Sequence, residues 1–316
     1  MKNKIVIKNI INPFNKTIEI EGDKSLSIRW ALLASQAIGK SKSFNLLKSE
    51  DVLSTLSCLK KLGVKIKNLE SGCEITGVGL NGFNYKKNLT LDAGNSGTLA
   101  RLIMGLLVHS KSKIKLTGDK SLSKRDFIRI TNPLKKFGTK FKTNSGKLPI
   151  VIEGTKSPNA IKYNEAIGSA QVKSAVMLAA LNTHGVTKIK AAKSRDHSER
   201  MFKNLKLPIK VKSKKNFDLI EVEGLKQFNA FDYIVPGDIS SSAFFIVLTI
   251  LSNNSRIRIK NININKSRIG IITILKKMNC KISLKNKKIY KGEKIADIII
   301  KNIENIKSIN CPSNFN

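Results

Sequence analysis

Residues 92–109 read DAGNSGTLARLIMGLLVH: a turn of Asp, Gly, Asn and Ser that runs straight into an apolar stretch at helical spacing. Ser, Asn and Asp cap helix starts, so the turn predicts an N-terminus and the run behind it predicts a buried helix. Three further stretches repeat the design. They are GDKSLSIRWALLASQAIG from Gly22, GSAQVKSAVMLAALNTHG from Gly168 and PGDISSSAFFIVLTILS from Pro236. Their starts lie about 70 residues apart, a period of repeated α/β units rather than of a solenoid. Between them lie short β-branched stretches at Ile5–Ile11, Lys113–Thr117, Leu148–Glu153, Thr187–Lys190, Asp218–Glu223, Arg256–Ile259 and Asp297–Lys301. Further helices are predicted over Glu50–Leu62, Ser123–Phe137, Ser198–Leu205 and Ser267–Met278. Gly39, Gly63, Gly138, Gly185 and Asn279 read as helix stops. The fold class is α/β (α+β), built from β-α-β-type repeats.

Composition narrows the function. The chain has 316 residues, enough for one large domain or two ordinary ones, and only 7 Pro and 20 Gly, too few for a linker protein. Cys58, Cys73, Cys280 and Cys311 are scattered, which argues against a disulfide framework, zinc or iron–sulfur clusters; no metal is expected. No apolar run reaches the ~20 residues of a membrane span. The longest, Ala243 to Leu251, is expected to be a core helix. The first residues, MKNKIVIKNIINPFNK, lack the apolar core of a signal peptide, so a soluble cytoplasmic protein is expected.

The net charge of +36 points first to nucleic acid. Of the 58 basic residues, however, only nine are Arg, and the lysines are spread evenly. Specific nucleic-acid recognition favours Arg, so none is expected. Where Lys is the default, the Arg positions carry information: Arg29, Arg101, Arg125, Arg129, Arg195 and Arg200 all fall in motifs.

The helix starts carry the chemistry. Small residues leave backbone N–H groups accessible, and the helix dipole adds positive potential there. Three of the four starts add cations: Lys24 with Arg29, Arg101, and Lys173. One such start is an ordinary cap; several together point to an anionic substrate. No carboxylate set for Mg²⁺ accompanies them, which argues against a kinase. Gly39-Lys40-Ser41 is expected to be a helix C-cap turn and not a P-loop, because position 34 is Ala. Adjacent residues point in different directions, so Ser194, Asp196 and His197 cannot form a catalytic triad with one another. Asp196 and His197 are expected to fix a loop or cap a helix. Lys24, Ser25 and Arg29 form one candidate anion site. Asn95–Thr98 with Arg101 form a second, and Gly118–Lys120 with Arg125 a third.

GDKSLSIRWALL, DAGNSGTLARLIMGLL, LTGDKSLSKRDF, GSAQVKSAVMLAAL, SRDHSERM and VPGDISSSAFF resemble, in order, the signature blocks of the 5-enolpyruvylshikimate-3-phosphate (EPSP) synthases, or 3-phosphoshikimate 1-carboxyvinyltransferases. The resemblance covers roughly residues 20 to 280. The sister UDP-N-acetylglucosamine enolpyruvyl transferases carry Lys-Asn in the first block and usually a catalytic cysteine on a mobile loop. Here that block reads Lys24-Ser25, and all four cysteines lie outside the blocks. The sister activity, and a non-catalytic polyanion-binding protein on the same scaffold, stand as the alternatives.

The resemblance implies two domains of βαβαββ units, one inserted in the other: residues 17–232 as the inserted domain with three such repeats, and 1–16 plus 233–316 as the first domain. It implies that shikimate 3-phosphate is held by Lys24, Ser25, Arg29, Ser169, Ala170, Gln171, Ser194 and Arg195. Phosphoenolpyruvate would meet Lys24, Asn95, Gly97 and Arg125, with Gln171 near both and Arg101 supporting the loop. Lys24 is the expected catalytic residue of this chain. The implied reaction is addition–elimination that moves the enolpyruvyl group to the 5-hydroxyl and releases phosphate in aromatic amino acid biosynthesis. No cofactor and a monomeric protein are expected. Phosphoenolpyruvate mimics such as glyphosate should inhibit, because Gly97 has no side chain to crowd them.

The sequence stops at Asn316, and there it departs from the family. Blocks resembling Asp-Glu-Ile-Pro and Lys-Glu-Ser-Asp-Arg, which in the family supply the catalytic Asp and Glu, are missing, and Asp297 and Glu304 offer no substitute. The acid/base Asp and Glu that the resemblance implies are therefore expected to lie beyond Asn316. The last repeat is expected to be missing, the chain to be C-terminally incomplete, and catalysis by it alone to fail. Where some members have Ser, Ala170 removes one hydroxyl contact.

Overall fold

A computed structural model describes residues 11–303 and 305–310. Glu304, Cys311, the final residue Asn316 and all of the predicted strand Ile5–Ile11 except Ile11 lie outside the described residues. The expectation that acid/base groups follow Asn316 therefore lies outside them too.

In chain order the elements are β1 (Asn15–Glu19), α1 (Lys24–Gln36), β2 (Ile38–Phe44), α2 (Glu50–Lys61), β3 (Lys65–Leu69), β4 (Gly72–Val78), β5 (Leu89–Asp92) and α3 (Gly97–Leu106). They continue with β6 (Ile114–Thr117), a short 3-10 turn (Leu122–Lys124), α4 (Ile128–Lys135), β7 (Lys140–Asn144), β8 (Lys147–Glu153), β9 (Lys162–Glu165) and α5 (Ala170–Leu181). The remainder are β10 (Val186–Ala192), α6 (His197–Asn204), β11 (Ile209–Ser213), β12 (Phe217–Glu223), β13 (Tyr233–Ile234), α7 (Ile239–Leu251), β14 (Arg256–Asn263), α8 (Gly270–Lys277), β15 (Ile282–Tyr290) and β16 (Glu293–Lys301).

The strands form four four-stranded sheets with one strand order. In β5-β6-β8-β7 the first pair is parallel and the other two antiparallel. The sheet β9-β10-β12-β11 repeats this. In β13-β2-β4-β3 the parallel edge strand arrives about 190 residues after its partner. In β1-β14-β16-β15 it precedes its partner by about 240 residues. Each sheet is thus one βαβαββ unit, two contiguous and two closed by a distant strand; the roughly 70-residue period predicts repeated α/β units, and the resemblance implies this form of them. Parallel pairs need a crossover, and a capped apolar helix supplies it.

The chain divides into two compact units. The smaller takes in Pro236–Tyr290 with the described residues before Glu21 and after Glu293. Its core joins Ile239, Ile246 and Ile250 of α7 to Ile257, Ile259, Ile298 and Ile300 of the sheet. The larger takes in Glu21–Val235 with Lys291–Glu293. Here α5 is buried at every residue from Val172 to Leu181 and packs on α3, α4, β10 and β12. Small residues permit the close approach: a Cβ on Gly105 of α3 would lie 2.2 Å from the Ala175 carbonyl oxygen. No helix of the described residues is long and apolar enough to cross a membrane.

The structure corrects several expectations. α7 is not enclosed: Phe244 is 79% exposed and Leu251 67%, so only one side of this largely apolar helix finds partners. The helix predicted over Ser123–Phe137 breaks at Arg125, whose backbone is extended. The Asp119 carboxylate takes the Leu122 N–H and the Asp126 carboxylate takes the Ile128 N–H, so two local caps outcompete one continuous helix. Gly39 is no helix stop, for α1 has already ended at Gln36 and Gly39 lies inside β2 at φ 103°. α8 begins at Gly270 and not Ser267, because the Asn265 side chain accepts from the Ser267 N–H and hydroxyl.

Candidate active site

Three helices of the larger unit begin in side-chain caps. Asp23 accepts from the Leu26 N–H, Ser96 from Leu99 and Ser169 from Val172. Behind these caps the predicted residues gather into connected clusters.

The first cluster joins α3, the Asp119–Arg125 turn and α5. The Asp119 carboxylate accepts from Asn95 Nδ2 at 2.7 Å, and Asn95 Oδ1 accepts from Arg125 Nη2 at 3.0 Å. Arg101 Nη1 donates to Gln171 Oε1 at 2.9 Å, and Gln171 Nε2 donates to Thr98 Oγ1 at 3.0 Å. Gly97 lies between the two guanidiniums: a Cβ there would sit 2.7 Å from Arg101 Nη1 and 2.9 Å from Arg125 Nη1. Burial and the repulsion of Arg125 and Arg129 hold the Arg101 guanidinium below its ordinary pKa. The Leu122 N–H, with the Asn95 amide, holds the Asp119 carboxyl below the ordinary range and so charged. Two guanidiniums beside a helix start without a side chain are chemically suited to an anion.

The second cluster is built on Arg29, which is 5% exposed. Its Nε donates to Ser198 Oγ at 2.9 Å, Nη2 to Ser174 Oγ at 3.1 Å and Nη1 to the Ser25 carbonyl at 3.1 Å. Ser174 and Ser198 are themselves 2.7 Å apart. Lys24 reaches Asp51 Oδ2 at 2.8 Å. Beside Ser198, the Ser194 hydroxyl oxygen is buried with no hydrogen-bond partner among the described residues, and Arg195 is exposed.

Other assignments change. Lys173 is no anion ligand at a helix start: it is fully buried and ion-paired to Glu199 at 2.6 Å. The start of α5 is not a set of open amides either, since the Glu165 carboxylate accepts the Gly168 and Ser169 N–H at 2.8 and 3.0 Å. Asp196 occupies the N-cap position of α6 without capping it and instead binds Arg200 at 2.8 Å. His197 pairs with Glu293 at 2.7 Å. Thr98 and Asp119 lie in the second and third candidate sites read from the sequence, whereas Asp51, Glu165, Ser174 and Ser198 carry no site signal there.

Burial pushes the Cys58 thiol up to about 12 and the Cys73 thiol to about 11, so neither is a thiolate nucleophile at neutral pH.

The sequence model of the EPSP synthase (3-phosphoshikimate 1-carboxyvinyltransferase) family matches residues 8–310. The 3-phosphoshikimate 1-carboxyvinyltransferase of Ruthia magnifica subsp. Calyptogena magnifica is 45% identical over 311 residues, covering 98% of this chain and 70% of the relative. That of Petrotoga mobilis is 41% identical over 292 residues, covering 91% and 66%. The EPSP synthase structure from Acinetobacter baumannii superposes with a TM-score of 0.85 at 35% identity, covering 96% of this chain and 68% of that one. The chain therefore spans about two thirds of the length of these relatives, and it belongs to the EPSP synthase family of enolpyruvyl transferases.

Proposed function

We propose that the two clusters of the larger unit bind phosphoenolpyruvate and shikimate 3-phosphate for transfer of the enolpyruvyl group to the 5-hydroxyl. The observation that carries this reading is the meeting of Arg101 and Arg125 at Gly97, with Asn95 fixed between Asp119 and Arg125. Like charges held together by a scaffold await an anion of matching size.

On this reading Asn95, Gly97 and Arg125 face phosphoenolpyruvate. Ser194 and Arg195, with Lys24, Ser25 and Arg29, face shikimate 3-phosphate. Ser169, Ala170 and Gln171 lie at the helix start that touches both groups. Arg101 is a support, since it holds Gln171 and stacks 5.3 Å over the Phe127 ring. Lys24, half exposed and paired with Asp51, supplies a positive charge to either ligand.

In the reaction the 5-hydroxyl oxygen attacks C2 of phosphoenolpyruvate while C3 gains a proton. The tetrahedral intermediate then loses phosphate from C2 and the proton from C3, leaving the enol ether. That requires groups that move protons. The carboxylates beside these clusters are already engaged: Asp51 with Lys24, Asp119 with Asn95 and Leu122, Asp196 with Arg200, and Glu199 with Lys173. The clusters thus build binding and charge stabilisation, and the proton-transfer carboxylates come from outside them. A cytoplasmic, monomeric, cofactor-free enzyme completes the reading. Neither the polyanion-binding alternative nor the UDP-N-acetylglucosamine one is favoured by the family and its named relatives.

Isothermal titration of Arg125→Ala tests the assignment. Affinity for phosphoenolpyruvate in saturating shikimate 3-phosphate should fall about tenfold, as for loss of one charge-assisted pair, with shikimate 3-phosphate affinity unchanged. Equal phosphoenolpyruvate affinity in the variant would overturn it.

A further inference from the structure

Lys173 and Glu199 do none of the proposed binding, yet both are buried: the lysine side chain is 0% exposed and the glutamate 5%. Lys173 lies in the stretch of α5 from Val172 to Leu181 in which every residue is buried. The two are each other's ion-pair partner, and the Arg200 and Asp196 charges also act on Glu199. Burial raises the Glu199 carboxyl above its ordinary pKa in spite of Lys173, so the surroundings disfavour its charge. A buried ion pair of this kind is a poor source of stability, and replacing both partners with apolar residues is often neutral or stabilising. What it does provide is a directional link of fixed length.

Its placement shows what the link holds. Lys173 is in the first turn of α5, two residues after Gln171, and Glu199 is in the first turn of α6, four residues after Arg195. The next residue on α5, Ser174, and the preceding one on α6, Ser198, are 2.7 Å apart and both accept from Arg29. Two neighbouring bridges, one ionic and one through hydroxyls, fix the separation of the helix starts and their rotation as well. The segments at those starts are Ser169–Gln171 and Ser194–Arg195, both assigned above to shikimate 3-phosphate.

We propose that Lys173 and Glu199 are positioning residues: their ion pair sets the spacing between the α5 and α6 starts that shikimate 3-phosphate spans. This rests on the binding reading above. Misplacing binding groups by about 1 Å can cost up to about 100-fold, so a loss of about tenfold is the expected scale.

The test compares the whole chain with Lys173→Met/Glu199→Met and with Glu199→Gln, by thermal melting, by titration with shikimate 3-phosphate and by amide NMR. The double variant should melt at or above the wild-type temperature and bind about tenfold more weakly. Its amide signals at 169–171 and 194–196 should shift while those at 95–98 stay in place. A merely structural pair would change melting and leave the folded site alone. Affinity within about twofold of wild type in a folded variant overturns the proposal, as does failure of both variants to fold, which would make the pair a folding requirement. If the wild-type chain itself does not bind shikimate 3-phosphate, the binding reading fails separately, and the amide signals still decide whether the pair positions the two segments.

Discussion

Helices α5 and α7 are near twins in sequence and opposites in surroundings. Both follow a turn rich in small residues, both are capped by a side chain, and both run almost wholly apolar, AQVKSAVMLAAL against ISSSAFFIVLTIL. Every residue of α5 from Val172 on is buried, whereas α7 leaves Phe244, Phe245, Val247, Leu248 and Leu251 exposed. The difference lies in the neighbours. α5 is Ala-rich and narrow, so other helices approach to backbone distance; α7 carries bulky side chains and packs one side on β14. An apolar run therefore reports that a helix can be buried, and the partners determine whether it is. The starts differ too. At α7 the cap Asp238 is neutralised by Arg268, which also holds Ser240. At α5 the start is wired into Glu165, Arg101 and Arg29.

Substitutions can break this contrast in order of size. Gly105→Ala should be the most damaging, because its Cβ would meet the α5 backbone and neither helix can give way. A loss of about 3 kcal/mol is expected in urea unfolding, and a loss below about 1 kcal/mol would show that α5 is not tightly held. Gly97→Ala meets only the ends of two arginine side chains, so it should fold normally while the guanidiniums move apart. Phosphoenolpyruvate affinity should fall about fivefold and glyphosate competition with it, a scale set by disturbing one charge-assisted contact. Unchanged affinity would remove Gly97 from the site. Phe244→Ser on α7 should change stability by no more than about 0.5 kcal/mol and reduce binding of an apolar dye to the exposed face. A large loss would mean that this face is covered.

Much of the scaffold was readable because caps and apolar runs are local signals. α1, α3 and α5 begin within two residues of the turns that announce them, and a repeated α/β unit shows in their spacing. What escaped depends on partners far along the chain. Nothing local to Lys173 marks it as buried against Glu199; Glu165 is the exception, a local loop contact with the Gly168 and Ser169 amides that carries no spacing signal of its own. The sequence offers Arg125 as a candidate anion ligand, yet the helix break at which it sits comes from competition between Asp119 and Asp126 caps and a continuous helix. Gly39 misled because a positive-φ glycine serves a strand as readily as a helix end.

The most direct test of the binding account is phosphate release from shikimate 3-phosphate plus phosphoenolpyruvate by this chain, with titration of shikimate 3-phosphate on the same sample. The account predicts saturable binding without phosphate release, because the clusters hold both substrates while their own carboxylates are engaged elsewhere. Turnover would contradict it by showing that one of those engaged groups moves the protons, and a folded chain that binds nothing would contradict the site itself.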